Sequence, residues 1–494
     1  MLTFHTLNDS KRLILCFAFV LTYTLFFMSG HISQWKFAKD TRRYWDPSFS
    51  DPWRSHRTPG LKMYIKAIGA YEATKKIMPL GENIEKRTII ALNDEEANTA
   101  FKRIANANYL LLSISIAILA VALACHISLP AAIFMPLIFL HLTKLPSPSL
   151  ILADQLAAIL TILFTAIGLF FIKNKNLVFL FSASLCAAYA FLVKPAMITL
   201  VVIAGILIFV SLIYSYNDKS RRIKIALIGI FFSICALIWP INLYMKGGLL
   251  VINQMSARTE TMRAMYLLQP GDELLFSDPA DKKLVTEFLR RKPNVDRKLD
   301  ELYFQDGRDN YSKAFIYKHS TNAYRRFYKE VFRKIRSGVK LNMLEWNKVS
   351  KSVCKPIIAA HFDENVKVIG RSFLTAFGWY YDYNQSPFSN NILRKHFNHK
   401  ISFAVYIGIF LVILSAMAVG HKPMRYVVIF VACLHPLACL LNSIGYTVLQ
   451  RYAETTEWSL LLAFMLALWS LAVKISHKRT EPEKLISVGQ GEAA

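Results

Sequence analysis

Ten runs of apolar residues divide this chain, near 13–30, 108–125, 127–143, 150–172, 177–193, 196–215, 223–244, 401–420, 425–445 and 456–474. Runs of this length have few stable fates in hydrocarbon. No water is there to satisfy backbone N–H and C=O groups, so the segment must bond to itself, and about 20 residues of helix match the core thickness. Composition agrees: 54% of the residues are hydrophobic, only 19% are charged, and the mean hydropathy is +0.33. A soluble domain rarely combines these values. The expectation is an all-α polytopic membrane protein with about ten transmembrane helices. The tightest joins are Cys125-His126 and Lys194-Pro195. Pro195 suits either a sharp reversal or a kink in one long helix. No small-residue cleavage site follows the first run, which therefore reads as a retained anchor.

Basic residues set the expected orientation. With the N-terminus inside, the inner connections carry Lys11-Arg12, Lys173 with Lys175, Lys219 with Arg221, Arg222 and Lys224, Lys422 with Arg425, and Lys474 with Lys478-Arg479. The short outer connections hold one each: Lys144, Lys194 and Arg451. Both termini are then inside, with a cytoplasmic tail over 475–494. Seven spans and the first outer loop, 31–107, make an N-terminal membrane core over 1–244. A large outer-face segment over 245–400 and the C-terminal spans over 401–474 follow. The setting this implies is the cell's inner (plasma) membrane.

The net charge of +26 points to anionic lipid headgroups and phosphates as partners. No nucleic-acid-binding motif is present, and no nucleic-acid partner is expected. No glycine pattern for nucleotide binding is present either, and no inner loop is long enough for such a domain. An activated substrate at the outer face would have to be carried by a lipid. The seven cysteines form no CxxC pair and read as small apolar residues. The pair His396 and His399 is too little for a metal site, and Asn310-Tyr311-Ser312 is a glycosylation sequon only in a host that glycosylates.

In the first outer loop, residues 61–77 and 94–107 have helical spacing, with room to lie flat on a bilayer surface. The segment 245–400 is strongly basic, with roughly 28 Lys and Arg against roughly 16 acids. Ser277-Asp278-Pro279 predicts a helix to about Arg291. A second helix is expected over Tyr311 to Arg336, where Phe315, Tyr317, Tyr324, Phe327, Tyr328 and Phe332 interleave with basic residues as on an interfacial helix. The region reads as helical, either a folded cap or a set of membrane-hugging helices.

The stretch 40–60, DTRRYWDPSFSDPWRSHRTPG, leaves the first run with carboxylates, arginines and a Thr-Pro-Gly turn. Its Asp40-x-x-x-Tyr44, followed by Arg57-Thr58-Pro59-Gly60, resembles the first outer loop of GT-C type glycosyltransferases that use lipid-phosphate sugars, such as protein O-mannosyltransferases and lipid A aminoarabinose transferases. Asp154 opening the fourth run, Lys194-Pro195, Trp239-Pro240-Ile241-Asn242 and Arg451-Tyr452 continue the likeness in order. Lys194 stands where relatives often have arginine, Asp154 where they often have glutamate, and 245–400 has no counterpart among them.

The resemblance implies a polyprenyl-phosphate sugar donor and transfer, with inversion, to a hydroxyl of a glycan, lipid or protein acceptor. Asp40 would be the base and Asp154 a second carboxylate, with Lys194, Arg451 and Arg57 on the donor phosphate. Tyr44, Trp45 and Tyr452 would line the substrate, and neither metal nor cofactor is called for. A surface-polysaccharide polymerase or ligase, and a transporter or flippase of lipid-linked substrates, remain alternatives.

Overall fold

The computed structural model describes residues 9–29, 34–37, 45, 49–53, 58–78, 84–142, 149, 151–252, 256–303, 324, 326–335, 342–376, 399–445 and 455–489. Among them no strand forms. Among the described residues each apolar run forms a helix over most of its length. The N-terminal half holds α1 (Asp9–Met28), α2 (Gly60–Ala67), α3 (Tyr71–Lys75), α4 (Ile84–Asn93), α5 (Glu95–Ala124), α6 (Leu129–Leu142), α7 (Ala153–Asn174), α8 (Leu177–Val193), α9 (Ile198–Tyr214) and α10 (Lys219–Gly247). Among the described residues seven helices are long and apolar enough to cross a membrane, and Leu129–Ile138, Leu177–Val193 and Ile407–Val419 are shorter apolar helices. This is an all-α integral membrane protein.

The bundle is organised around α5 and α7. The α5 helix packs against α1, α6 and α7, and α7 passes its other side to α8. Asp94 caps α5, its carboxylate accepting the Ala97 N–H at 3.0 Å. The Ala97 bond and Lys76, 3.1 Å from the same carboxylate, hold its pKa below the usual range. The stretch 94–107 thus starts a single helix of 30 residues that continues into the apolar run. The stretch 61–77 forms α2 and α3, and corrects the expectation of a bilayer-surface helix. Leu61, Tyr64 and Ile65 are buried, α2 packing on α8 and α3 on α5, and the Tyr64 hydroxyl donates to Asn108 at 3.0 Å. Protein, not lipid, covers that apolar face.

At Lys194 the chain reverses. Lys194 is extended (φ −149, ψ 112), Pro195–Met197 forms one 3-10 turn, and α9 packs back against α8. Pro195 stands first in that turn, where a missing N–H costs nothing. It makes a turn, not a kink.

Beyond α10, the described residues between 256 and 376 fold into a helical cap with its own apolar core. It contains α11 (Ser256–Leu267), α12 (Pro279–Tyr303), α13 (326–335), α14 (Met343–Val349), a π turn at Ser350–Cys354, α15 (Lys355–Ala360) and α16 (Phe362–Ala376). The helix expected to end near Arg291 runs on through Pro293 to Tyr303. Tyr324, Phe327, Tyr328 and Phe332 are buried, and Tyr328 stacks on Phe288 and Trp346. That corrects the interfacial reading for these four, which build the inside of the cap. Phe315 and Tyr317 lie outside the described residues.

The last helices are α17 (His399–Val419), α18 (Lys422–Gly445) and α19 (Glu457–Gly489). The α19 helix continues past 474, so the expected tail opens as helix. The α18 helix packs against α19, α9 and α7. Gly168 permits the approach of α7, since a Cβ there would meet Phe430 Cζ at 2.3 Å. Gly168→Ala is expected to cost about 1–3 kcal/mol by overpacking, less what alanine returns in helix propensity. Phe430→Leu should recover part of the loss. Thermal unfolding of the three variants in detergent checks this.

Candidate functional site

Two helix ends bring a carboxylate and an ammonium together. Leu152 is extended ahead of α7, which leaves Asp154 in the first turn of that helix. Lys194 follows directly on the last residue of α8. The N-terminal end of a helix favours the anion and the C-terminal end the cation. Across the gap Lys194 Nζ donates to Asp154 Oδ1 at 2.9 Å, and the side chains are only 6% and 5% exposed. A buried pair like this costs desolvation that its Coulomb attraction only partly returns, so stability is a weak reason to keep it. Gln155 beside it is also buried.

The first loop is tied to both helix ends. Lys36 donates its N–H to the Ser149 carbonyl at 2.8 Å and accepts from Ile151 N–H at 3.2 Å, which fixes residues 34–37 alongside the approach to Asp154. Trp35 packs tilted and Phe37 edge-on against Phe101. Further along, Thr58 Oγ1 donates to the Val193 carbonyl at 3.3 Å, and the Tyr189 hydroxyl donates to the Gly60 carbonyl at 3.1 Å. Thr58, Pro59 and Gly60 therefore lie on the last turn of α8, next to Lys194. Phe49 and Trp53 reach α10: Asn242 donates to the Phe49 carbonyl at 3.1 Å and Trp53 to the Leu243 carbonyl at 3.2 Å.

The cap and α18 close on the same end of the bundle. Asn442 Nδ2 reaches the Ala196 carbonyl at 3.5 Å, just past Lys194. The buried Arg263 of α11 donates to the Ser443 and Ile444 carbonyls, both at 2.8 Å. Its guanidinium satisfies carbonyls that the end of α18 leaves open, and supplies the charge a helix C-terminus favours.

Of the residues expected in a site, Asp154 and Lys194 touch. Asp40, Tyr44, Arg57, Arg451 and Tyr452 lie outside the described residues. Trp45 is turned into the protein, 4% exposed, with its indole N–H donating to Thr74 Oγ1 at 3.0 Å. Its contacts are those of a loop anchor.

Two polar groups escaped the sequence reading. His435 is buried in α18, with Nδ1 3.1 Å from Thr456 Oγ1, and Glu457 is buried at the start of α19. An imidazole inside the run 425–445 was the available signal, because ionisable groups within spans are costly. On the cap, a hollow of about 580 Å³ is lined by Lys282, Lys283, Arg290, Arg291, Lys334 and Glu287 among others. Hydrogen bonds from Arg290 and Arg291 push the Glu287 carboxyl down to about 2. Among the described residues no group of three or more His, Cys, Asp or Glu could hold a metal ion. No protein family, no curated protein and no solved structure matches the chain.

Proposed function

We propose that this protein is an integral membrane glycosyltransferase. It moves a sugar from a polyprenyl-phosphate donor to an acceptor hydroxyl, at the membrane face from which the cap rises. The observation that carries the reading is the buried Asp154–Lys194 contact beside the Thr58-Pro59-Gly60 turn. A carboxylate, a cation and the first loop, distant in sequence, share one spot at the end of the spans. Ten spans with both termini inside place the cap outside, in keeping with the basic loops at Lys173, Lys175, Arg221 and Arg222 on the opposite end.

In this mechanism the acceptor oxygen attacks the anomeric carbon from the side opposite the donor phosphate. Asp40 takes the hydroxyl proton, the carbon–oxygen bond to phosphate breaks, and polyprenyl phosphate leaves carrying the electron pair. Lys194, Arg451 and Arg57 stabilise the charge on that phosphate. Lys194 exchanges Asp154 for the donor phosphate, which frees the Asp154 carboxylate to orient the acceptor. Tyr44 and Tyr452 line the sugar, Trp45 holds the loop that carries Tyr44, and no metal is called on.

The purified protein in vesicles, given a panel of labelled polyprenyl-phosphate hexoses and pentoses together with an envelope extract that supplies acceptor hydroxyls, is expected to release polyprenyl phosphate with one of them as the label moves to an acceptor. Asp40→Asn should abolish release while expression stays normal. Movement of the labelled lipid between leaflets with its glycosyl bond intact would instead identify a flippase.

A further inference from the structure

The α16 helix divides its surface three ways. At about 100° per residue, Asn365, Val368 and Ser372 share one side. All three are buried, Val368 in the cap core. Asp363, Glu364 and Lys367 occupy another side and are exposed. Between these sides runs a third, apolar stripe of Phe362, Val366, Ile369 and Phe373, spaced i, i+4, i+7, i+11 and confined to about 60° of arc.

The two ends of that stripe meet different surroundings. Phe373 packs on Cys439 of α18, against which Phe410 of α17 also packs. Cys439 lies six residues before the end of α18, about 9 Å along its axis. The stripe therefore begins among apolar helices, below the level at which α18 ends. Toward the cap Ile369 is half-buried, and then Val366 and Phe362 are 49% and 63% exposed. His361, just before Phe362, is held by Asp272 at 2.9 Å, so the uncovered end of the helix is fixed to the cap body.

We propose that the Phe362–Val366–Ile369 stripe is embedded in the acyl chains of the bilayer and anchors the cap to lipid. Continuity carries this assignment. The stripe extends a surface already packed among spans, and its charged neighbours Asp363 and Lys367 lie on the flank that would face headgroups and water. Acyl chains cover such a helix face without a shaped partner. The inference needs only that the protein is a membrane protein, and stands whether or not the transferase reading does.

The test places a nitroxide on the full-length protein in lipid vesicles, through Phe362→Cys, Val366→Cys or Lys367→Cys, with the signal of the unsubstituted protein subtracted. All three sites are exposed, so the substitutions do not threaten folding. At 362 and 366 collisions with oxygen are expected to exceed those with a water-soluble nickel chelate several-fold, with the reverse order at 367. Labels at 362 and 366 that prefer the nickel chelate would overturn the proposal. Labels shielded from both reagents would also overturn it, and would assign the stripe to a protein partner or a second copy of the chain.

Discussion

Asp154→Asn is expected to destabilise the folded protein by about 3–5 kcal/mol, because it leaves the buried Lys194 ammonium facing an uncharged amide. Lys194→Met should cost a similar amount by removing the cation 2.9 Å from the buried carboxylate. The double variant should recover most of that loss, since two neutral side chains need no desolvation of charge. The pairwise coupling would then be large for residues whose nitrogen and oxygen are 2.9 Å apart. Thermal unfolding in detergent measures all four corners of the cycle. Transfer activity separates structure from chemistry. If the pair only holds two helix ends together, activity returns with stability in the double variant. If Lys194 binds the donor phosphate, the double variant is stable and inactive. A stable and fully active double variant would remove both residues from the proposed mechanism.

How far the sequence could be read depended on what surrounds each segment. The apolar runs were legible because hydrocarbon leaves the backbone only the helix. The reversal at Lys194-Pro195 could be narrowed to two shapes, and the packing of α9 on α8 selects the turn. Burial was harder. An apolar stripe on a polar helix looks the same whether lipid or protein covers it. The stretch 61–77 and the aromatics at 324–332 both suit a bilayer surface by composition, yet their apolar sides are covered by α5, α8 and the cap core. Trp45 is similar, since indoles are common at membrane interfaces and nothing local marks Thr74 as its partner. Asp154 and Lys194 stood out as charges at the ends of apolar runs. Their contact depends on how α7 and α8 pack and is written in neither segment. His435 was hidden by the apolar run around it, and its partner Thr456 lies beyond the end of that helix.

Gly60→Ala should have an effect out of proportion to one methyl group. A Cβ on Gly60 would lie 2.4 Å from Val193 N, 2.5 Å from Leu192 C and 2.6 Å from Leu192 O. These are backbone atoms of a helix end and have no rotamer to change. The Thr58-Pro59-Gly60 turn must lift off α8, losing the Tyr189 bond to Gly60 and the Thr58 bond to Val193. Overpacking costs about 1–3 kcal/mol, and the two hydrogen bonds add about 1 kcal/mol each. Below the last turns of α8 the bundle has no part in that contact and should keep its fold. A thiol introduced at position 58 reports the lift directly, because Thr58 is buried at 2% exposure. In Thr58→Cys alone the thiol should resist a membrane-impermeant maleimide, and when Thr58→Cys is combined with Gly60→Ala it should react. Transfer should fall at least tenfold with Gly60→Ala, equivalent to about 1.4 kcal/mol of transition-state stabilisation, because the turn carries Arg57 and sits beside Lys194. Protection of the introduced thiol together with unchanged transfer would mean that the turn does not depend on its seat against α8, and the proposed site would lose the wall that the first loop provides.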